Sequence, residues 1–326
     1  MSNPARPRIS IVTALYNSAG YIEEFIARCT EAVTQLTDDY EIILVNDASP
    51  DNSLAVAVEL QRQDPHLVVI DLSRNFGQHK ANWTGLSHAT GDYIFLIEAD
   101  LEELPEWLLP FYEQLTADDS IDVVYGLQAS RKGGWIERIS GDLFYRIFNL
   151  FSQVRIPPNH ITVRLMSRRY VKAFVAHQER DLFVGGMYEL AGFGQQPHIV
   201  TKLSHSETTY NLGRKLNLLV NAIVSFSSLP LWLIFWIGLF VSFSAFGVIV
   251  WVVIKWAAGN PQPGWASLIA SIWAVGGLVM ASIGTIGIYL KKIMAEIKSQ
   301  PYTIIRHIYE SGQNTQQASS SGEKQS

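Results

Sequence analysis

Between Leu216 and Leu290 the chain runs for 75 residues with a single charged side chain, Lys255. The other 251 residues carry 54 of the 55 charges. An uncharged run longer than about 18 residues reads as membrane-spanning, so a simple soluble globule is excluded. A hydrophobic content of 48% and a mean hydropathy of +0.11 exclude a disordered chain. A net charge of -5 gives no support to nucleic-acid binding, which calls for a basic patch.

The charge-poor region resolves into parts. Leu229–Ile254 and Trp265–Leu290 are each 26 residues without a charge. As helices they would be roughly 39 Å long, enough to cross a ~30 Å hydrocarbon core with tilt. The link between them holds Gly259, Pro261, Pro263 and Gly264, a turn composition. Arg214, Lys215, Lys291, Lys292, Lys298 and Arg306 flank the pair, so the positive-inside rule puts both flanks in the cytoplasm. Trp232, Trp236, Trp251, Trp256 and Trp265 sit near the span ends, as interfacial anchors do. Residues 214–228, with Asn217, Asn221, Ser225 and Ser228 in an apolar stretch, predict an amphipathic helix in the bilayer interface. Residues 291–326 form a cytoplasmic C-terminal segment, with a polar tail from Gln313 expected to be disordered. No secretory signal is read at the start, so residues 1–213 are expected in the cytoplasm at the inner (plasma) membrane.

Residues 9 to about 126 alternate short Ile/Val/Leu-rich runs with helical stretches. Strands are predicted at Ile9–Thr13, Glu41–Asn46, Leu67–Asp71, Tyr93–Ile97 and Asp122–Tyr125, and helices at roughly 21–36, 52–63, 78–89 and 105–116. Successive apolar residues are how strands buried on both faces of a parallel sheet read. Ile22, Phe25, Ile26, Cys29 and Val33 recur at helical spacing, which makes Cys29 a packed core thiol. The pattern predicts an open α/β sheet, in which ligands bind beyond the carboxyl ends of the strands. Residues 127–213 are less regular. Phe144, Phe148 and Phe151 share one face of a predicted helix over 142–151, which serves either core packing or contact with the bilayer surface.

Four polar constellations fall at the predicted strand ends. Tyr16 could stack on a base, and Asn17 could turn the first loop. In the second loop Asp51 and Ser53 read as a helix cap, while Asp47 could accept hydrogen bonds from a base or ribose. In the third, Ser73 to Lys80, the polar groups of Arg74, Asn75 and Lys80 could meet a phosphate or sugar, and Gly77 permits close backbone approach. In the fourth, an extended segment would bring Glu98, Asp100 and Glu102 to one face, where a hard cation, Mg²⁺ or Mn²⁺, would relieve their repulsion. Arg131 and the run Arg164-Leu165-Met166-Ser167-Arg168-Arg169 add guanidinium groups suited to phosphate.

These motifs, in this order, resemble family 2 glycosyltransferases of the dolichol-phosphate mannose synthase type, in the bacterial polyprenyl-phosphate branch with two transmembrane helices. The likeness covers residues 9 to about 310 and includes Ser225-Phe226-Ser227-Ser228-Leu229-Pro230 before the first span. It implies a nucleotide-sugar-binding open sheet of the GT-A type, then interfacial helices and a C-terminal hairpin. It also implies transfer of one sugar from a nucleotide sugar to a polyprenyl phosphate, with undecaprenyl phosphate as carrier, and leaves room for a homo-oligomer. The expected nucleotide-sugar site is Tyr16, Asn17, Asp47, Arg74, Asn75, Lys80 and Asp100. Glu98, Asp100 and Glu102 would hold the metal. Arg131, Arg164, Arg168 and Arg169 would hold the lipid phosphate, with Asp100, Arg164 and Arg168 catalytic.

The chain departs from the family pattern in places. Glu98 stands where the family has the first Asp of Asp-x-Asp, and Glu102 where it has Gln. Ala14 and Ser18 replace Pro and Glu, and Thr162 replaces an Asp two residues before Arg164. A phosphate monoester acceptor, with a second pKa of about 6, is already anionic at neutral pH and needs little deprotonation. The expectation is therefore an active, metal-dependent, inverting transferase. The alternative is a catalytically inactive relative that binds lipid or a membrane partner. A processive polysaccharide synthase is disfavoured, because no Gln-x-x-Arg-Trp string occurs.

Overall fold

The computed structural model describes residues 6–128, 160–176, 187–188, 191–202, 229–258, 264–297 and 301–311. The chain opens with β1 (Ile9–Leu15), α1 (Ile22–Thr34), β2 (Tyr40–Asn46), α2 (Ser53–Gln63), β3 (Leu67–Leu72), α3 (Gln78–His88) and β4 (Tyr93–Leu96). A 3₁₀ turn at Pro105–Trp107 leads into α4 (Leu108–Thr116) and β5 (Ile121–Gln128). The alternation read from the sequence is thus present, with each strand and helix expected over residues 9–126 in place. The expected helix over 142–151, the interfacial helix over 214–228, Arg131 and the tail from residue 313 lie outside the described residues.

All seven residues of β2 are buried, as a strand covered by helices on both faces requires. One apolar layer joins α1, α2 and α4 to the sheet. It buries Ile22, Phe25, Ile26, Cys29 and Val33 of α1 together with Phe95 and Phe111. The other holds α3 and the helical residues Tyr170, Val171 and Phe174 against Val12, Ile43 and Leu96. Burial pushes the Cys29 thiol well above its ordinary pKa.

Among the described residues three further strands, β6 (His160–Ser167), β7 (Gly194–Val200) and β8 (Ile305–Tyr309), complete an eight-stranded sheet of order β7-β5-β6-β4-β1-β2-β3-β8. β1 pairs in parallel with β2 on one side and β4 on the other. The connection therefore reverses direction at β1, which opens a crevice beyond the carboxyl ends of β1 and β4.

The stretch expected to be irregular contributes more of the sheet. β6 (His160–Ser167) runs antiparallel to β4 and β5, α5 (Arg168–Ala176) follows it, and β7 (Gly194–Val200) runs parallel to β5. Two long helices come next, α6 (Leu229–Ala257, 29 residues) and α7 (Trp265–Ile297, 33 residues). Among the described residues no helix is long and apolar enough to cross a membrane, so the case for a bilayer span rests on the sequence. After α7 the chain returns to the sheet as β8 (Ile305–Tyr309), antiparallel to β3. The sequence reading placed no strand there.

α3 lies close on β1 and β2 because Gly85 has no side chain. A Cβ at that position would stand 2.4 Å from Val12 Cγ1 and 3.0 Å from Val45 Cγ2. Gly85→Ala should therefore destabilise the chain by about 1–3 kcal/mol, seen as a lower midpoint in thermal unfolding. An unchanged midpoint would show that α3 can shift off the sheet at no cost.

Candidate active site

The parallel strands deliver their carboxyl ends to one place. β1 runs into Tyr16, β2 into Asp47, β3 into Ser73–Gly77 and β4 into Glu98–Asp100. Between them lies a cleft of about 320 Å³, lined by Tyr16, Asp47, Asn75, Gly77, Glu98 and Asp100 among others. Tyr16 is exposed there, with its ring free to meet a planar group. Asn17, Arg74 and Lys80 flank the cleft without lining it. The Asn17 N–H donates to Ser49 Oγ (2.8 Å). The Arg74 guanidinium lies 4.0 Å over the Phe76 ring and donates to the Asn75 carbonyl. Lys80, on α3, sits over the ring of Tyr302.

The loops are fastened to one another. The buried Asp47 carboxylate accepts the N–H groups of Phe76 (2.7 Å) and Gly77 (2.8 Å), so it ties the second loop to the third. Burial raises its pKa, with those two donors opposing. Asp51, one residue ahead of the α2 N-cap Asn52 and not the cap itself, accepts the N–H of Ser53 and also the N–H of Ala19 in the first loop. Asn17, Ala48 and Leu101 all have positive φ (55°, 49° and 59°). Each directly follows a cleft residue, Tyr16, Asp47 or Asp100. Left-handed backbone at a side chain such as Leu costs about 1–2 kcal/mol, held here by the surrounding bonds.

The acidic loop differs from the expected three-carboxylate metal cage. The ammonium of Lys202, just past the end of β7, lies 2.7 Å from Glu98 Oε2 and 3.3 Å from Glu102 Oε2. Glu98 Oε1 also accepts from Gln78 Nε2 (2.8 Å) and from the Thr162 hydroxyl (2.9 Å). Burial would raise the Glu98 pKa, but Lys202, Gln78 and Thr162 hold it below the ordinary carboxylate range. Among the described residues no three His, Cys, Asp or Glu side chains are grouped to hold a metal. Asp100 lines the cleft beside Glu98 and, among the described residues, makes no ion pair with Lys202. Its Oδ1 accepts the Glu102 N–H (3.0 Å), and burial raises its pKa. This donor set fits a hard divalent cation held by one carboxylate and completed by substrate phosphate oxygens, a common arrangement for Mg²⁺. Beneath it Glu103 is fully buried, and its carboxyl is pushed up to about 8, chiefly by burial, against backbone donors at Glu98 and Val163.

The arginine run is split by strand direction. Arg164 pairs with Leu96 at the cleft end of β4. It is buried, donates to the carbonyls of Ile161 and Thr162, and stacks over the Tyr188 ring. Its guanidinium is thus committed to the protein rather than displayed to a phosphate. Arg168 and Arg169 lie at the other end of the sheet, because β6 is antiparallel and Ser167 pairs with Tyr93 at the start of β4. Arg168 bonds the carbonyls of Ala89 and Gly91, and Arg169 pairs with Asp122 at the start of β5. The expected catalytic role of Arg168, and the phosphate roles of Arg168 and Arg169, are corrected on that ground. Lys202 carried no signal in the sequence. Its place follows only from β7 running parallel to β5.

The Glycosyl transferase family 2 model matches residues 10–175, which hold β1 to β4 and the cleft. The chain belongs to glycosyl transferase family 2. A Mycobacterium tuberculosis protein named for glycosyltransferases is 46% identical over 96% of this chain and 92% of its own length. The SfII prophage-derived bactoprenol glucosyl transferase of Shigella flexneri is 32% identical, over 92% of this chain and 97% of its own. The prophage bactoprenol glucosyl transferase homolog of Escherichia coli K12 is also 32% identical, over 92% and 99%. This family 2 chain is a glycosyltransferase, and the cleft at the strand ends is its candidate active site.

The Glu98–Thr162 bond joins two of the departures from the family pattern into one unit. Thr162→Asp should set a second carboxylate against Glu98, and Glu98→Asp should withdraw the carboxylate from Thr162 and Lys202. The double variant should be more stable than the sum of the single losses by about 1 kcal/mol or more, read by urea unfolding of all four chains. Strict additivity would show that the two positions are independent.

Proposed function

We propose that this glycosyltransferase moves one sugar from a nucleotide sugar to a polyprenyl phosphate, with undecaprenyl phosphate as carrier, at the cytoplasmic face of the bacterial inner membrane. The observation that carries the reading is a polar cleft at the ends of β1 to β4 in a chain that aligns almost end to end with bactoprenol glucosyl transferases. The sequence supports the membrane site, with two charge-free runs of 26 residues falling within α6 and α7.

Each part of the cleft has a task in this reading. Tyr16 stacks on the base, and the loop of Asn75 and Gly77 receives the ribose or diphosphate. Asp100 holds a divalent cation, Mg²⁺ or Mn²⁺, which when bound stabilises negative charge on the departing diphosphate. Lys202, locked by Glu98 and Glu102, adds a fixed positive charge close by. An oxygen of the lipid phosphate forms a bond to the anomeric carbon. The bond from that carbon to the diphosphate oxygen breaks, and its electron pair leaves with the nucleoside diphosphate. A single in-line displacement inverts the anomeric centre.

Thr162 supplies no carboxylate base, and none is required. The acceptor phosphate, with a second pKa of about 6, carries its negative charge at neutral pH. Catalysis then consists of alignment and charge stabilisation.

Membranes containing the chain, incubated with a panel of nucleotide sugars and undecaprenyl phosphate, should yield a glycosylated lipid by mass spectrometry. Asp100→Ala should abolish that product, and chelation should remove it until Mg²⁺ or Mn²⁺ is restored. Full transfer by Asp100→Ala would sink the metal assignment. Binding of a nucleotide sugar without any lipid-linked product would favour the inactive-relative reading.

A further inference from the structure

The segment after α7 reaches the donor loop from outside. The ring of Tyr302 packs 4.5 Å from that of Trp83, and the hydroxyls of Thr303 and Thr84 are 2.7 Å apart. The Ile304 carbonyl accepts the N–H of Ser73 (2.8 Å). In the β8–β3 ladder His307 pairs with Asp71 and Ile305 with Leu72, which leaves Arg306 as the extra residue of a bulge. A bulge re-aims its side chain. Here the Arg306 guanidinium donates to Asp71 Oδ2 (3.0 Å) and to the Ser73 carbonyl (2.8 Å). Both backbone groups of Ser73 are therefore held by the C-terminal segment.

Asp71 needs this partner. Its carboxylate is 2% exposed, and its other oxygen accepts from Asn46 Nδ2 (2.8 Å). A buried carboxylate is tolerated only when paired and hydrogen-bonded. Asn46 in turn accepts the N–H of Ser49 (3.2 Å), in the loop next to Asp47. At the far end of the third loop, Phe76 and Gly77 are pinned to Asp47. The loop that carries Asn75 and Gly77 into the cleft is thus tied at one end by Asp47 and at the other by Arg306.

We infer that Arg306 is a positioning residue for the donor site: through Asp71 and Ser73, the strand that follows the two long helices holds the 73–77 loop in its ligand-receiving form. The inference rests on the cleft being the nucleotide-sugar site. It gives a task to a charge that the sequence reading counted only as a flank of the membrane spans. Three residues, 298–300, separate Ile297, the end of α7, from Pro301 at the base of this strap.

The test is calorimetric binding of UDP-glucose and of GDP-mannose, with Mg²⁺ present, to the full chain and its Arg306→Ala variant. Hydrogen–deuterium exchange is followed in parallel without ligand. Arg306→Ala should weaken donor binding about tenfold, the worth of one charge-assisted hydrogen bond. It should speed exchange at Phe76 and Gly77 while leaving β1 and β2 protected. In turnover it should raise the donor KM and leave the KM for the lipid phosphate unchanged. Equal donor affinity, or unchanged exchange at Phe76 and Gly77, would overturn the inference. A wild-type chain that binds neither sugar nucleotide would overturn the donor-site reading instead. If Arg306→Ala does not fold, Arg306→Lys serves, since it keeps the charge beside Asp71 and loses the bond to the Ser73 carbonyl. A loss of about threefold is then expected, and unaltered affinity overturns the inference.

Discussion

Three acidic side chains can crowd the end of β4 because a cation stands among them. Lys202 neutralises much of the repulsion between Glu98 and Glu102, and in doing so fixes both. Without it, a loop carrying Glu98, Asp100, Glu102 and the fully buried Glu103 would have to splay or take up protons. With it, the loop can hold Leu101 at a φ of 59° and present Asp100 to the cleft beside a Glu98 already paired with the ammonium. The arrangement also sets the site's charge. Glu98, Asp100 and Glu102 against one ammonium leave it negative, so a divalent cation is welcome, but only one carboxylate is free to turn to it.

That pairing explains why Glu98 and Thr162 belong together. An aspartate at 98 would be shorter by one methylene, a reach that the glutamate uses to meet the Thr162 hydroxyl and the Lys202 ammonium at once. A second carboxylate at 162 would have no cation left to meet, since Lys202 is already shared. Threonine donates a hydrogen bond and adds no charge, which is what a carboxylate already held by an ammonium can accept.

Most of the architecture was legible because it depends on local patterning. Apolar runs marked β1 to β5, helical spacing marked α1, and the polar residues at the strand ends pointed to the cleft. What escaped depends on pairing between distant segments. Nothing local says that β6 runs against β4, yet that direction sends Arg168 and Arg169 to the wrong end of the sheet and buries Arg164 beside Tyr188. Lys202 is one lysine among many until β7 is known to lie parallel to β5. β8 is five residues long and exposed along part of its length, too weak a pattern to announce a strand.

The placement of β8 bears on how a water-soluble donor could be brought to a lipid acceptor. A loose linker after α7 would let the catalytic domain wander relative to the two long helices. Instead the chain adds a strand to the edge of the sheet, and the bulge in that ladder aims Arg306 at the donor loop. An edge strand is also the cheapest place for such a tie. β3 would otherwise present unpaired N–H and C=O groups, and covering them costs little beyond the ordering of five residues. The same contact that caps the sheet therefore ties the segment following the two helices to the loop at the sheet's active end. In the proposed reaction a segment fastened both to the membrane and to that loop keeps donor and acceptor together, because the lipid phosphate cannot leave the bilayer surface to find the sugar.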